Sequence, residues 1–255
     1  MMRNRLTDLL PLFLLFGIGA CSGSSEETKR QQRDREVRTL VKSIQDHDLA
    51  TATAHASAFS FPVTQYDILR DYGAYGFVMP IHIAVRYGRI DMLKMLAEKR
   101  RKSESLVTFD VDARDSDGNT VIMMAYFGPA KTRDDVVRFL VAEGADVNAR
   151  SANIQFTALH DAATYMNRGY AELLIGLGAN VNLQDKYGRT PMHLICGKEH
   201  GITDERKAVF DVVLKAKPDL TLKDKDGLTA EQVAQKLGYK PYVDKLKEAA
   251  RGAKK

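Results

Sequence analysis

DKYGRTPMHLIC, residues 185–196, decides how this chain is to be read. It holds a D-x-x-G turn, then Thr190 and Pro191, then His193 and Cys196 three residues apart, with Lys198 and His200 close behind. Read alone, it admits a metal site or a thiol–imidazole pair. It is not alone. TALHDAA (157–163), MPIHIAV (79–85) and the more divergent TVIMMAY (120–126) and TAEQVAQ (229–235) align with TPMHLIC (190–196). Thr157 and Thr190 are 33 residues apart, and the other steps are 37 (120 to 157), 39 (190 to 229) and 41 (79 to 120). A recurring period of about 20–50 residues signals stacked supersecondary units.

The repetition changes the reading of His193. His82 and His160 occupy the same slot, and Cys196 fills the place of Ala163, a packing position that suits a small thiol. A metal would want a second, separate ligand pair. A nucleophile would want an exposed thiol of low pKa. The stretch therefore reads as scaffold, with no catalytic residue and no metal ligand. The P-loop and the H-E-x-x-H and G-x-S-x-G patterns do not occur, and Asp161 beside His160 is the weak remaining acid–base candidate.

Each unit explains itself physically. Thr120, Thr157 and Thr190 are helix N-caps, and Pro191 suits a first helical turn. GADVN (144–148) and GANVN (178–182) carry the glycine that ends a second helix. The turns DSDG, DKYG and DKDG place Gly118, Gly188 and Gly227 at the tip of a hairpin-like loop. Two short antiparallel helices and a loop cannot bury an apolar face alone, so such units must stack. The expectation is an all-α solenoid.

A 33-residue unit opening T-P-L-H-x-A resembles the ankyrin repeat. The resemblance runs over about 37–248 and implies about six helix-pair repeats with β-hairpin-like loops: 37–61, 75–109, 115–149, 150–184, 185–223 and 224–250. It also implies that His82, His160 and His193 hydrogen-bond backbone groups of adjacent loops. Departures are visible. RSANIQF (150–156) is one residue longer and lacks the glycine, with Asn153 expected at the positive-φ position. KRRKSESLVTF (99–109) lengthens a connection, and FGPAKTRDD (127–135) and GKEHGITDERK (197–207) lengthen joints between helices. Residues 61–77 fit no repeat.

The N-terminus reads separately. Arg3 and Arg5 precede LLPLFLLFGIGA, twelve mostly apolar residues, too few for a helix spanning a bilayer core of ~30 Å. A basic start, a short apolar stretch and small residues read as an export signal, 1–20. Ile18-Gly19-Ala20-Cys21 resembles the lipobox of bacterial lipoproteins, which implies lipidation at Cys21. Ser22 after it implies sorting to the inner leaflet of the outer membrane, facing the periplasm. Residues 22–36 hold no hydrophobic side chain, so 21–36 reads as lipidated Cys and tether. With Cys21 acylated, Cys196 has no disulfide partner.

Charge excludes little but directs something. There are 38 basic and 33 acidic residues, a net +5, and removing Arg3, Arg5 and Asp8 with the leader leaves +4. An excess so small and spread gives no nucleic-acid footprint. The resemblance implies a non-enzymatic protein, monomeric and without cofactor or small-molecule substrate, that binds another protein through its concave face. Positions four and five after the His slot face that surface: Arg86, Tyr87, Phe127, Thr164, Tyr165 and Lys198. Lys186, Tyr187 and Arg189 extend it at a loop tip. Tyr87, Phe127 and Tyr165 would form an aromatic ladder about 10 Å per step, one helix-packing distance. The competing reading makes them filler between repeats. Two roles suit such a lipoprotein: immunity against a secreted antibacterial toxin such as a phospholipase, or an envelope assembly or stress-protection scaffold.

Overall fold

One aspartate organises the start of each regular repeat. Asp185 Oδ1 accepts from the backbone N–H groups of Tyr187 and Arg189, both at 2.8 Å. Asp115 and Asp224 bond their own turns in the same i+2 and i+4 pattern. The turns then join sideways. Ala152 N–H donates to Gly118 O at 2.9 Å, Lys186 N–H to Ile154 O at 3.0 Å, and Lys225 N–H to Tyr187 O at 2.9 Å. Close approach explains two glycines. A Cβ at Gly118 would come within 2.5 Å of the Ala152 Cβ, and one at Gly188 within 3.0 Å of Asp224 Cα; both glycines have positive φ.

The computed structural model describes residues 28, 31–32, 35–36, 38–58, 80–102, 109–115, 117–197 and 201–252. Cys21 with the export signal, most of the tether, residues 61–77, Lys198 and His200 lie outside them.

Helices follow the loops in pairs. Described residues 38–45 form α1, followed by α2 (Leu49–Ala58). Next come α3 (Pro80–Arg86) with α4 (Ile90–Lys102), α5 (Val121–Ala125) with α6 (Ala130–Ala142), and α7 (Ala158–Thr164) with α8 (Arg168–Gly176). The last pairs are α9 (Pro191–Cys196) with α10 (Asp204–Lys215), and α11 (Ala230–Lys236) with α12 (Lys240–Gly252). Among the described residues there is no strand, and two isolated bridges, Arg114 to Thr120 and Lys223 to Thr229, close loop bases. No described helix is long and apolar enough to cross a membrane.

The first helices stack in a row, α3–α5–α7–α9–α11, and second helices pack behind them. One continuous apolar core runs between the two layers, from Leu40 and Ile44 through Met92, Leu140 and Leu174 to Phe210 and Leu246. Alanines 84, 125, 162, 163 and 234 let neighbours approach closely. The expectation of an all-α solenoid is met.

Two local expectations are corrected. Gln155, not Asn153, takes the positive φ (56°) in the glycine-free loop. Gln155 stands two residues before Thr157, as Gly188 stands before Thr190, so the turn keeps its register to the helix. The extra residue is absorbed earlier, where Asn153 Nδ2 donates to Asp117 O. The second correction concerns 127–135. Only Tyr126–Pro129 forms the joint, and residues 130–135 lengthen α6 at its N-terminus.

Candidate functional site

The Thr–His pairs are closed boxes. Thr157 N–H donates to His160 Nδ1 at 3.1 Å, the Thr157 hydroxyl lies 2.8 Å from the same nitrogen, and Nε2 reaches Arg189 O at 3.1 Å in the next loop. His193 repeats this with Thr190 and with Leu228 O. Each ring is thus neutral, with the proton on Nε2, and ties its cap to the following repeat. Burial pushes the His160 pKa down to about 4 and lowers that of His193. His82 is fully buried and likewise lowered by burial, with the Ala113 backbone as partner. In the last repeat Gln232 does the same work, accepting from Thr229 N–H at 2.9 Å. Met123 cannot, and Thr120 makes no side-chain cap bond.

Both nitrogens of His193 are therefore occupied. Cys196 is wholly buried, and burial pushes its thiol up to about 12. A protonated, enclosed thiol beside a fully engaged imidazole serves packing. Among the described residues no group of three His, Cys, Asp or Glu could hold a metal ion.

The candidate surface residues lie elsewhere. Tyr87 (41% exposed), Phe127 (54%), Tyr165 (49%) and Tyr187 (45%), with Leu49, are the exposed large hydrophobics among the described residues. Tyr87 and Tyr165 follow the ends of α3 and α7, and Phe127 lies just past α5. Gly128 brings that joint against the end of α3, its Cβ position 3.0 Å from Val85 O and 3.3 Å from Arg86 O. Arg86 and Thr164 are half-buried on the same ends.

The ladder spacing is wrong between repeats three and four. Phe127 and Tyr165 rings stand 5.9 Å apart, edge to face, rather than about 10 Å. The reason is Tyr126, which the sequence reading missed. It replaces the small residue of its slot, stacks on Tyr165 at 4.8 Å, and meets Phe127 at 5.3 Å and Tyr170 at 5.6 Å. Tyr170 is fully buried and donates its hydroxyl to Ile122 O at 2.8 Å, which bridges the two repeats. Arg133 lies over the Tyr170 and Tyr126 rings, at 5.1 and 5.9 Å. Tyr126 and Tyr170 fill the gap, and Phe127 and Tyr165 stand on top of it. The available signal was TVIMMAY itself, with a tyrosine where small residues sit.

A second surface is the DKYG tip. Arg189 Cζ lies 4.8 Å from the Tyr187 ring centroid, and Nζ of Lys186 and Lys225 lie at 5.2 and 6.0 Å. Arg189 is held by two bonds to buried Asp185, at 2.7 and 2.8 Å. Lys186 is exposed. Between this tip and repeat six, Arg189, His193, Leu194, Asp224 and Lys236 line a cleft of about 440 Å³.

The profile "Ankyrin repeats (3 copies)" matches residues 70–151, and "Ankyrin repeat" matches 155–186. Residues 70–151 and 155–186 carry ankyrin repeats. The chain is 41% identical to Rabankyrin-5 of Mus musculus over 104 residues, 36% of this chain and 8% of that protein. It is 31% identical to the Neurogenic locus Notch protein of Drosophila melanogaster over 150 residues, 54% of this chain and 5% of that one. Rabankyrin-5 of Homo sapiens is 34% identical over 150 residues, 51% of this chain and 12% of its own length. The chain thus spans a small fraction of these relatives, and the likeness is to a repeat module. Ankyrin repeats are in general non-enzymatic modules that bind other proteins, and the helix pairs above form an ankyrin solenoid.

Proposed function

We propose that this chain is a lipid-anchored protein of the bacterial envelope that binds a partner protein, without catalysis, through the concave face of its repeats and their loop tips. The observation that carries the reading is where the exposed rings stand. Tyr87, Phe127 and Tyr165 all follow first helices, and Tyr187 tips a loop on the same side as the His-bonded turns. Aromatic side chains supply large contact area at low conformational cost, so such a row is a typical anchor set. The anchor is argued from Arg3, Arg5, the twelve-residue apolar stretch and Ile18-Gly19-Ala20-Cys21. By resemblance to bacterial lipoproteins, Cys21 would carry two acyl groups through its thiol and a third on its amino group, and three chains hold a protein on a membrane far more firmly than one.

A photo-reactive residue at Phe127 or Tyr165, compared with one at Arg138 or Glu172 on exposed second-helix positions, tests the binding face in intact cells. The expected outcome is one discrete cross-linked product from the first two positions and none from the others. Cross-linking from Arg138 or Glu172 alone would put the partner on the wrong face. For the anchor, Cys21→Ser should move the chain from the detergent phase to the aqueous phase; a wild type that is unmodified by intact mass and water-soluble overturns it.

A further inference from the structure

The slot after the His position runs along the first helices as an apolar row: Ile83, Met124, Leu194 and Val233. In repeat four the same slot holds Asp161, so this carboxylate interrupts a row that is otherwise hydrophobic. Asp161 is half-buried, and burial pushes its pKa up to about 7. Among the described residues no hydrogen-bond donor and no cation reaches its side chain.

The two neighbouring hydroxyls are engaged elsewhere. Tyr170 gives its hydroxyl to Ile122 O, and the Tyr126 hydroxyl is bonded to Asn167. Arg133 lies over the Tyr126 and Tyr170 rings, and its buried Nε pairs with Asp134 at 3.5 Å without a hydrogen bond. Asp161 shares α7 with the start of the ring cluster. It stands one helical turn before Tyr165, whose N–H donates to Asp161 O at 2.9 Å, and its charge acts on the hydroxyls of both Tyr126 and Tyr170.

We infer that Asp161 and the exposed rings of Phe127 and Tyr165 receive a basic side chain, Lys or Arg, projected by the partner protein. The inference rests on the concave-face reading above and names the chemistry of its centre. A cation is attracted by ring faces within about 6 Å, and a charge-assisted bond to a carboxylate adds to that attraction. An acidic side chain would be repelled by Asp161. An apolar one would leave Asp161 buried without a partner, which is costly. The chain as a whole is net basic, so the preference for a cation belongs to this place alone.

The test titrates the full chain with N-acetyl-lysine methylamide and with its neutral isostere, N-acetyl-norleucine methylamide, and follows the ring resonances of Tyr126, Phe127 and Tyr165 and the Asp161 carboxyl carbon. The lysine probe should shift these signals saturably and lower the apparent pKa of Asp161, and the norleucine probe should do neither. Asp161→Asn should weaken the lysine response at least fivefold while the ring signals stay at their folded positions. Equal responses to the two probes, or an unchanged response in Asp161→Asn, overturn the inference. If cross-linking at Phe127 captures a partner whose affinity Asp161→Asn leaves intact, the cation site falls and the concave-face reading stands. If Phe127 captures nothing but the probe response holds, the reading of the face falls and the cation site stands.

Discussion

The junction between repeats four and five and the junction between repeats three and four use the same slots to different ends. In the first, His160 closes the Thr157 cap and reaches Arg189 O, Asp185 ties the turn, and Ala163 and Cys196 let α7 and α9 lie close. Its polar groups are matched inside the fold. In the second, Met123 has no atom to accept from Thr120 N–H as His160 does from Thr157 N–H, and Tyr126 stands in the slot that Ala163 and Cys196 fill in the next two repeats. Asp161 keeps a carboxylate without a donor, and two rings are left in solvent. The contrast can be broken or sharpened by substitution.

The largest effect is expected at the bridging tyrosine. Tyr170→Ala removes a fully buried ring and strands Ile122 O, and should cost about 3–5 kcal/mol of unfolding free energy in denaturant titration. Tyr170→Phe should cost about 1–2 kcal/mol, the price of the unpaired carbonyl. Equal costs for the two would mean that the hydrogen bond carries the bridge.

At the regular junction, His160→Ala should cost about 1–3 kcal/mol by leaving Thr157 N–H unpaired and removing the tie to Arg189 O, which keeps its bond from Asp185 N–H. His160→Gln should recover part of that, since Gln232 already closes the Thr229 cap. The same histidine sets a pH dependence. Its folded pKa of about 4 lies below its unfolded value, about 6.5, so the unfolded state takes the proton first. Its contribution is complete above about pH 6.5 and is lost as pH falls toward 4.

Asp161 runs the other way. Its folded pKa, raised to about 7, makes the folded state the better proton binder, so its contribution grows as pH falls from about 7 toward 4. Asp161→Leu, the residue of repeat five, should raise the melting temperature at pH 8 by about 2–4 °C and give little gain at pH 5. Thermal scans of the two variants at both pH values separate the opposed slopes. A stabilisation by Asp161→Leu that is the same at pH 5 and 8 would remove the burial of charge as its cause. The smallest effect belongs to the long loop. Gln155→Gly should stabilise by about 0.5–1 kcal/mol by relieving a non-glycine positive φ.

Most of the fold was legible because a repeat writes its constraints several times. Thr, His and the turn aspartates recur at fixed spacing, so each copy interprets the others, and the scaffold reading of His193 and Cys196 came from His82, His160 and Ala163. What was not legible occurs once. Tyr126 changes the ring spacing through contacts that one divergent repeat cannot announce, and Asp161 stands out only when its slot is compared with Ile83, Met124, Leu194 and Val233. Gln155 escaped because asparagine is the residue that local propensity favours at positive φ, whereas register with Thr157 decided the matter.

We propose that Phe127 and Tyr165 are anchors standing on the wedge of Tyr126 and Tyr170. The most direct measurement pairs affinity for the cross-linked partner with thermal unfolding on Phe127→Ala, Tyr165→Ala and Tyr126→Ala. The first two should lose about 1–3 kcal/mol of binding with the melting temperature nearly unchanged, and Tyr126→Ala should lower melting first. Lowered melting with intact affinity in both Phe127→Ala and Tyr165→Ala would show that these rings are filler and that the partner binds another face.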